Sequence, residues 1–430
     1  PNSMNLNSRP VVAFPVVFGV VLVAASQSAQ AQFLEPSLAC PGAVQVVDGT
    51  PDDPGEVIDL LIPAGGSATC NSLPPRFPFP ENETEAIQRI RFIRSDADDV
   101  TFTNNILGIF GETPEFQATF SGTGSTIVNN GDLNLFVDGN DTVVTNTSGY
   151  LSGNAFGNNF ELNNGPGGVV LGGMTIEGAD AAVNNAGAIA SGFPDSVPTA
   201  RGITVVGPGA RVDNQGSGVI AVNGAEGTAV YLSGNGGRID NAGTISAEGA
   251  ESVGAGISGS GTASQRVTIA NTGTIAVDGE ESTAVFVDGD FSLVDNDNDI
   301  SAEGDEASGV FVEGDNARVE NAGAIGVDGN LALGIGVAGN DGVIDNTGTV
   351  YLTGDIGLAL GGLGTNIEIS NRGTVTTDGD KAIGLAIFGS QADALNASSR
   401  QITTMGDGAH GMMIGVEDLM NTVGPVLPPG

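Results

Sequence analysis

From residue 267 to residue 389 the chain carries two periods at once. The shorter is two residues: Ile275 and Val277, then Val285 and Val287, are apolar pairs at the spacing that puts side chains on one face of a strand. The longer is twenty-five residues. Asn271, Asn296, Asn321, Asn346 and Asn371 form one column, preceded two residues earlier by Ile269, Val294, Val319, Ile344 and Ile369. Four residues after each asparagine stand Ile275, Ile300, Ile325, Val350 and Val375, and later in each unit come Val285, Val310, Ile335, Leu360 and Leu385. Each apolar run is short and ends in turn-forming stretches such as VDGEES and VEGDNA.

Three short strands and three turns per unit make one coil of a solenoid. The expected fold is therefore all-β, a parallel β-helix of about 25 residues per coil behind an N-terminal cap. Because one slot recurs in every coil, like side chains stack about 4.8 Å apart. An inward asparagine at a corner then bonds through its amide to the copies above and below, as in other stacked strands. Asn241, Asn271, Asn296, Asn321, Asn346 and Asn371 are the expected members of this ladder. The glycine of N-x-G is expected to supply a backbone angle that a β-carbon penalises.

The pattern extends in both directions. Upstream it reads Ile239/Asn241/Ile245, Val212/Asn214 and Val183/Asn185/Ile189 at steps of 27 to 30, with the extra residues in GSGTASQR (259–266) and GFPDSVPTA (192–200). Downstream it reads Leu395-Asn396, Ile402, Met412 and Ile414, and fainter echoes stand at Ile127/Asn129 and Val144/Asn146. Coils are thus expected over 101–418, and a Pro-rich linker or truncated end over 419–430. The segment 32–100, with SLPPRFPFP and the arginine-bearing IQRIRFIR, is expected to cap the first open coil.

Composition narrows the partners. With 51 acidic and 13 basic side chains the formal charge is −38. Nucleic acid and anionic lipid are disfavoured, since both require Lys or Arg to displace counterions. Apolar content of 40% is enough to build a core, so disorder is disfavoured as well.

The N-terminus reads as an export signal. Arg9 precedes the apolar stretch VVAFPVVFGVVLVAA, and Ala29-Gln30-Ala31 forms a small-residue cleavage site, so cleavage is expected after Ala31. The stretch is shorter than the ~20 residues of a membrane span and contains Pro15. In an exported chain the two cysteines, Cys40 and Cys70, are expected to pair. Two cysteines without a nearby histidine do not supply four zinc ligands.

Signal, irregular cap and the repeated coils NAGTI (241–245), NTGTI (271–275), NAGAI (321–325), NTGTV (346–350) and NRGTV (371–375) resemble the passenger region of Gram-negative autotransporters, the type V secretion family. The resemblance spans roughly residues 100–415 and the signal. It implies a right-handed β-helix displayed at the cell surface or released, working in adhesion, self-association or as a stalk. It also implies an outer-membrane translocator barrel as a partner, and a host or neighbouring cell as the surface engaged. The barrel that ends members of this family has no counterpart in these residues, so a barrel encoded downstream is the expectation, with a freely secreted β-helix as the other reading.

Catalytic chemistry finds little purchase. His410 in GAHGMMIG is the only histidine, and it falls in line with Leu333, Leu358 and Ile383, as a turn or partly buried residue would. Asp295, Asp297 and Asp299 in VDNDNDI form the densest carboxylate group, the type that divides acid and base work in glycoside hydrolysis. A secreted polysaccharide-active β-helix hydrolase or lyase is the alternative function that they would serve. GGLGTNIEI (361–369) is an imperfect copy of a calcium-binding nonapeptide, and acidic turns such as EGDE and DGEE could hold cations loosely. No catalytic, cofactor-binding or metal-binding residue is assigned.

Overall fold

The computed structural model describes residues 40–42, 44–46, 59–71, 92–106, 117–192, 199–397 and 400–414. The expected export signal and the expected C-terminal linker lie outside these residues, as does most of the Pro-rich part of the expected cap. Every described element is a strand, and all pairings between strands are parallel except that of Val44–Val46 with Asp59–Leu61. The parallel β-solenoid anticipated from the twenty-five-residue period is the observed architecture.

Alternating apolar residues give each strand a buried face, and the turns between strands bring the chain round to stack on itself. Three parallel sheets result. The first runs from Ser67–Cys70 through Thr101–Asn104 and Thr126–Asn129 to Asp393–Asn396. The second runs from the middle of Val143–Phe156 through the middle of Glu161–Glu177, Ala188–Ser191 and Val219–Asn223 to Gln401–Met405. The third runs from Asp59–Leu61 through Phe92–Ser95 and Gln117–Phe120 to His410–Ile414. Stacking therefore begins before residue 101, inside the segment expected only to cap it.

The long strands Val143–Phe156 and Glu161–Glu177 turn the corners without a break. They pair in three blocks separated by irregularities at Asn164/Gly167 and Val170/Met174. Ala182–Asn185, Ala188–Ser191 and Arg201–Val206 then pair with successive parts of Glu161–Glu177. Here the coil passes from two strands to three.

The inward positions are those of the repeat. Ile269, Val294, Val319, Ile344 and Ile369 are fully buried, as are Ile275, Ile300, Val350 and Val375. Burying each such side chain stabilises by about 1.5–3 kcal/mol, and the stack makes one continuous core. On the last described coil Met412 and Ile414 sit over Leu385 and Ile387 but stay 39% and 45% exposed, since no described strand stacks beyond them.

Two glycine columns fix how closely coils approach. A β-carbon on Gly329 would lie 1.8 Å from the Gly304 carbonyl oxygen, in a corner whose glycine recurs from Gly249 to Gly406. The N-x-G glycines have a different reason from the one expected. Gly273, Gly348 and Gly373 do not take the left-handed conformation. A β-carbon on each would instead lie 2.0–2.1 Å from the carbonyl oxygen of the equivalent glycine one coil earlier. Contact between backbones, rather than a special torsion, selects glycine there.

Candidate functional surface

The buried asparagines form one chain of amide hydrogen bonds. Each Nδ2 donates to the Oδ1 of the next coil, from Asn104 through Asn129, Asn146, Asn164, Asn185, Asn214, Asn241, Asn271, Asn296, Asn321, Asn346 and Asn371 to Asn396, at 2.7–2.8 Å. The direction never reverses. Turning the Asn146 amide over would set its NH2 against that of Asn129. Many Nδ2 groups also donate to a backbone carbonyl of the following coil, as Asn241 does to Thr274 O at 3.0 Å and Asn271 to Asp299 O at 3.1 Å. At the N-terminal end the slot in register with Asn104 is Cys70, which forms a disulfide with Cys40.

The ladder is longer than its legible members. The step between asparagines falls to 17, 18 and 21 residues between Asn129 and Asn185 and rises to 30 before Asn271. Asn164 in ELNN was missed because a fixed step passes over it, whereas Asn104 in TFTN lies one regular step of 25 before Asn129 and was missed because the column was followed only as far as Asn129. An asparagine two residues after a buried apolar residue (Phe102, Leu162) was the available signal.

The outward face of the first sheet carries charge. Arg238 and Asp240 are two residues apart on one strand and pair at 2.6 Å (Nε–Oδ2) and 2.5 Å (Nη2–Oδ1). Arg318 pairs with Glu320 in the same way, and Arg372 Nη1 reaches Asp345 at 2.7 and 2.8 Å. At least one partner of each pair is well exposed, so each contributes ~0–1 kcal/mol. Partial burial, then the neighbouring Asp240, raises the Asp213 carboxyl above its usual range. Partial burial also raises Asp295, helped by Asp297 and Glu320 and opposed by Arg238.

The VDNDNDI carboxylates are divided by a corner. Asp295 lies on the first sheet in register with Glu320, whereas Asp299 opens a strand of the second sheet. Asp297 stands between them, its N–H donating to Asn271 O at 2.8 Å.

The acidic turns have a structural task. Asn330, Asp355, Asp380 and Asp407 each donate a backbone N–H to the side-chain Oδ1 one coil before, on Asp305, Asn330, Asp355 and Asp380, at 2.7–3.0 Å. Among the described residues no group of three or more His, Cys, Asp or Glu side chains is placed to hold a metal ion. Gly361 and Gly362 of GGLGTNIEI are strand residues in register with Gly336 and Val337, so no nonapeptide loop forms there. His410 is exposed at the start of a strand, in register with Ile383, its N–H donating to Ala382 O at 2.9 Å.

The third sheet also has an apolar side away from the main core. Phe311, Leu333, Leu358, Ile383 and Ala386 form a separate buried cluster with Phe286 and Phe388 at its margin. Phe286 and Phe311 stack with centroids 6.2 Å apart. Gly361 leaves room for this arrangement: a β-carbon there would meet Leu358 Cδ2 at 2.6 Å. Comparison of the chain with family models, with curated proteins and with solved structures finds no match in any of the three.

Proposed function

We propose that the chain is an exported passenger-type β-solenoid, displayed on the cell surface or secreted, whose long repetitive exterior serves adhesion, self-association or spacing. One observation carries the reading: an unbroken amide ladder from Asn104 to Asn396 holds coil after coil in register, and corner length varies around it. Such a scaffold keeps its outer faces periodic over many coils, which suits repeated weak contacts better than a single reaction centre. The Cys40–Cys70 disulfide is consistent with an oxidising compartment. A translocator barrel and an opposing cell surface are the partners this reading calls for.

The test is immunolabelling of intact producing cells and of their medium, with a deletion strain scored for attachment and clumping. Label removed by external protease, together with lost attachment, is the expected result. Label seen only after lysis rejects the proposal.

The polysaccharide-active alternative rests on the proximity of the Asp295 and Asp297 carboxylates, the kind of pair that divides acid and base work in glycoside cleavage. Hydrolysis or eliminative cleavage of a polysaccharide panel, lost in Asp295→Asn, would establish it in place of the first reading.

A further inference from the structure

The chain contains four Asn-x-Ser/Thr triplets, at Asn82, Asn140, Asn146 and Asn396. In an exported protein this triplet is the acceptor pattern for asparagine-linked glycan. Asn82 lies outside the described residues. The other three differ sharply in what their side-chain amides do.

Asn146 is fully buried, and its Nδ2 donates to Asn164 within the ladder. Asn396 ends the ladder and its Nδ2 donates to Arg400 O at 3.3 Å. Asn140 is exposed in the turn between Leu133–Asp138 and Val143–Phe156. Its Oδ1 accepts the Asn158 N–H at 2.8 Å, and its Nδ2 has no partner among the described residues.

This turn recurs, which supplies internal controls. Asn158, Asn235 and Asn340 occupy the same slot and accept the N–H of Ala179, Ser260 and Thr365 at 2.8, 3.0 and 3.3 Å. None of the three has a hydroxyl residue two positions later. The residues that take the place of Thr142 in the next coils are Phe160, Ala181 and Ala210. The turn bond therefore needs neither the amide nitrogen of Asn140 nor the hydroxyl of Thr142.

We propose that Asn140 is a glycan attachment site, an inference that rests on the export reading. Nδ2 attacks the anomeric carbon of a polyprenyl-diphosphate-linked sugar. The N–C bond forms, the C–O bond to the diphosphate breaks, the diphosphate departs, and the Nδ2 proton passes to a base of the transferase. Oδ1 keeps its bond to the Asn158 N–H, so the product fits the turn unchanged. Thr142 is buried, with its hydroxyl donating to Gly139 O at 3.3 Å. A transferase must grip that hydroxyl, so attachment precedes closure of the turn. Once the coil has formed, the glycan projects from an exposed corner.

The experiment is peptide mass spectrometry of the full chain from its producing cells, with location scored separately by fractionation. A sugar mass on the peptide containing Asn140, absent from Asn140→Asp and retained in Asn158→Asp, is the expected result. Asn140→Asp keeps the Oδ1 acceptor, so its melting curve checks that the coil still folds. An unmodified Asn140 peptide, from chain outside or inside the cells, overturns the assignment. Chain found only inside the cells rejects export independently of the mass result.

Discussion

Replacing Asn321 by alanine should open the first sheet in the middle of its amide chain. Asn321 is 1% exposed, accepts from Asn296 at 2.8 Å and donates to Asn346 at 2.7 Å. Both bonds, worth about 1 kcal/mol net each, are lost together with a marginal one from Nδ2 to Thr349 O at 3.5 Å. The Asn346 Oδ1 is then left buried without its donor, and one unsatisfied group costs about 1–3 kcal/mol. The Asn296 Nδ2 is partly compensated, since it also donates to Asn298 O at 3.1 Å. The sum is roughly 3–5 kcal/mol. Asn396→Ala is the internal reference: at the half-buried end of the column it removes the bond from Asn371 and a long one to Arg400 O at 3.3 Å, for about 1–2 kcal/mol. A stack of coils need not unfold in one step, so the assay is hydrogen exchange of the amides in Arg318–Asn321 and Val343–Asn346, alongside urea denaturation. Exchange free energies in these strands that fall by less than 1 kcal/mol, or that match those of Asn396→Ala, would refute the ladder as a source of stability.

Three further outcomes follow from the geometry. Gly329→Ala should cost at least ~3 kcal/mol because its β-carbon meets a carbonyl, whereas Gly326→Ala, with nothing within 4 Å, should be neutral or stabilise by up to ~1 kcal/mol; chemical denaturation of the two variants separates them. Ile356 holds φ 63°, a torsion unfavourable for a β-branched residue, so Ile356→Asn should stabilise by about 1 kcal/mol, read as a higher denaturation midpoint. Asp213 and Asp295 have carboxyls raised above 3.8 in the folded chain. The folded state holds their protons more tightly, so their contribution is complete below the unfolded value and is lost as pH rises through the folded one. Asp295→Asn should then raise stability at pH 7 relative to the parent and flatten the dependence just above the usual carboxylate range; an unchanged pH profile in thermal melts would contradict this.

Most of the fold was readable because stacking repeats one environment, and one environment selects one residue type. Where corners were trimmed, as around Asn146 and Asn164, the step changed while the environment did not, and a fixed period lost the column. The outer cluster escaped for another reason. Leu333 and Ile335 are two residues apart, yet only Ile335 belongs to the main core, because the strand is irregular at Gly334 and Ala332 turns inward. Alternation misassigns a side where the pleat is broken. The roles of the acidic turns were equally hidden: Asp305 and Asp355 look like solvated charge in sequence, and only the next coil reveals the N–H that each accepts.

The amide column stays continuous whether the loop around it contains 17 residues or 30. Corners can therefore grow or shrink while the spine remains in place. The GSGTASQR excursion illustrates this: Arg266 donates forward to Ser292 O and Asn316 O, tying the added chain to the next two coils. For a molecule that meets its surroundings through its exterior, decoration can diversify with little effect on the frame that bears it.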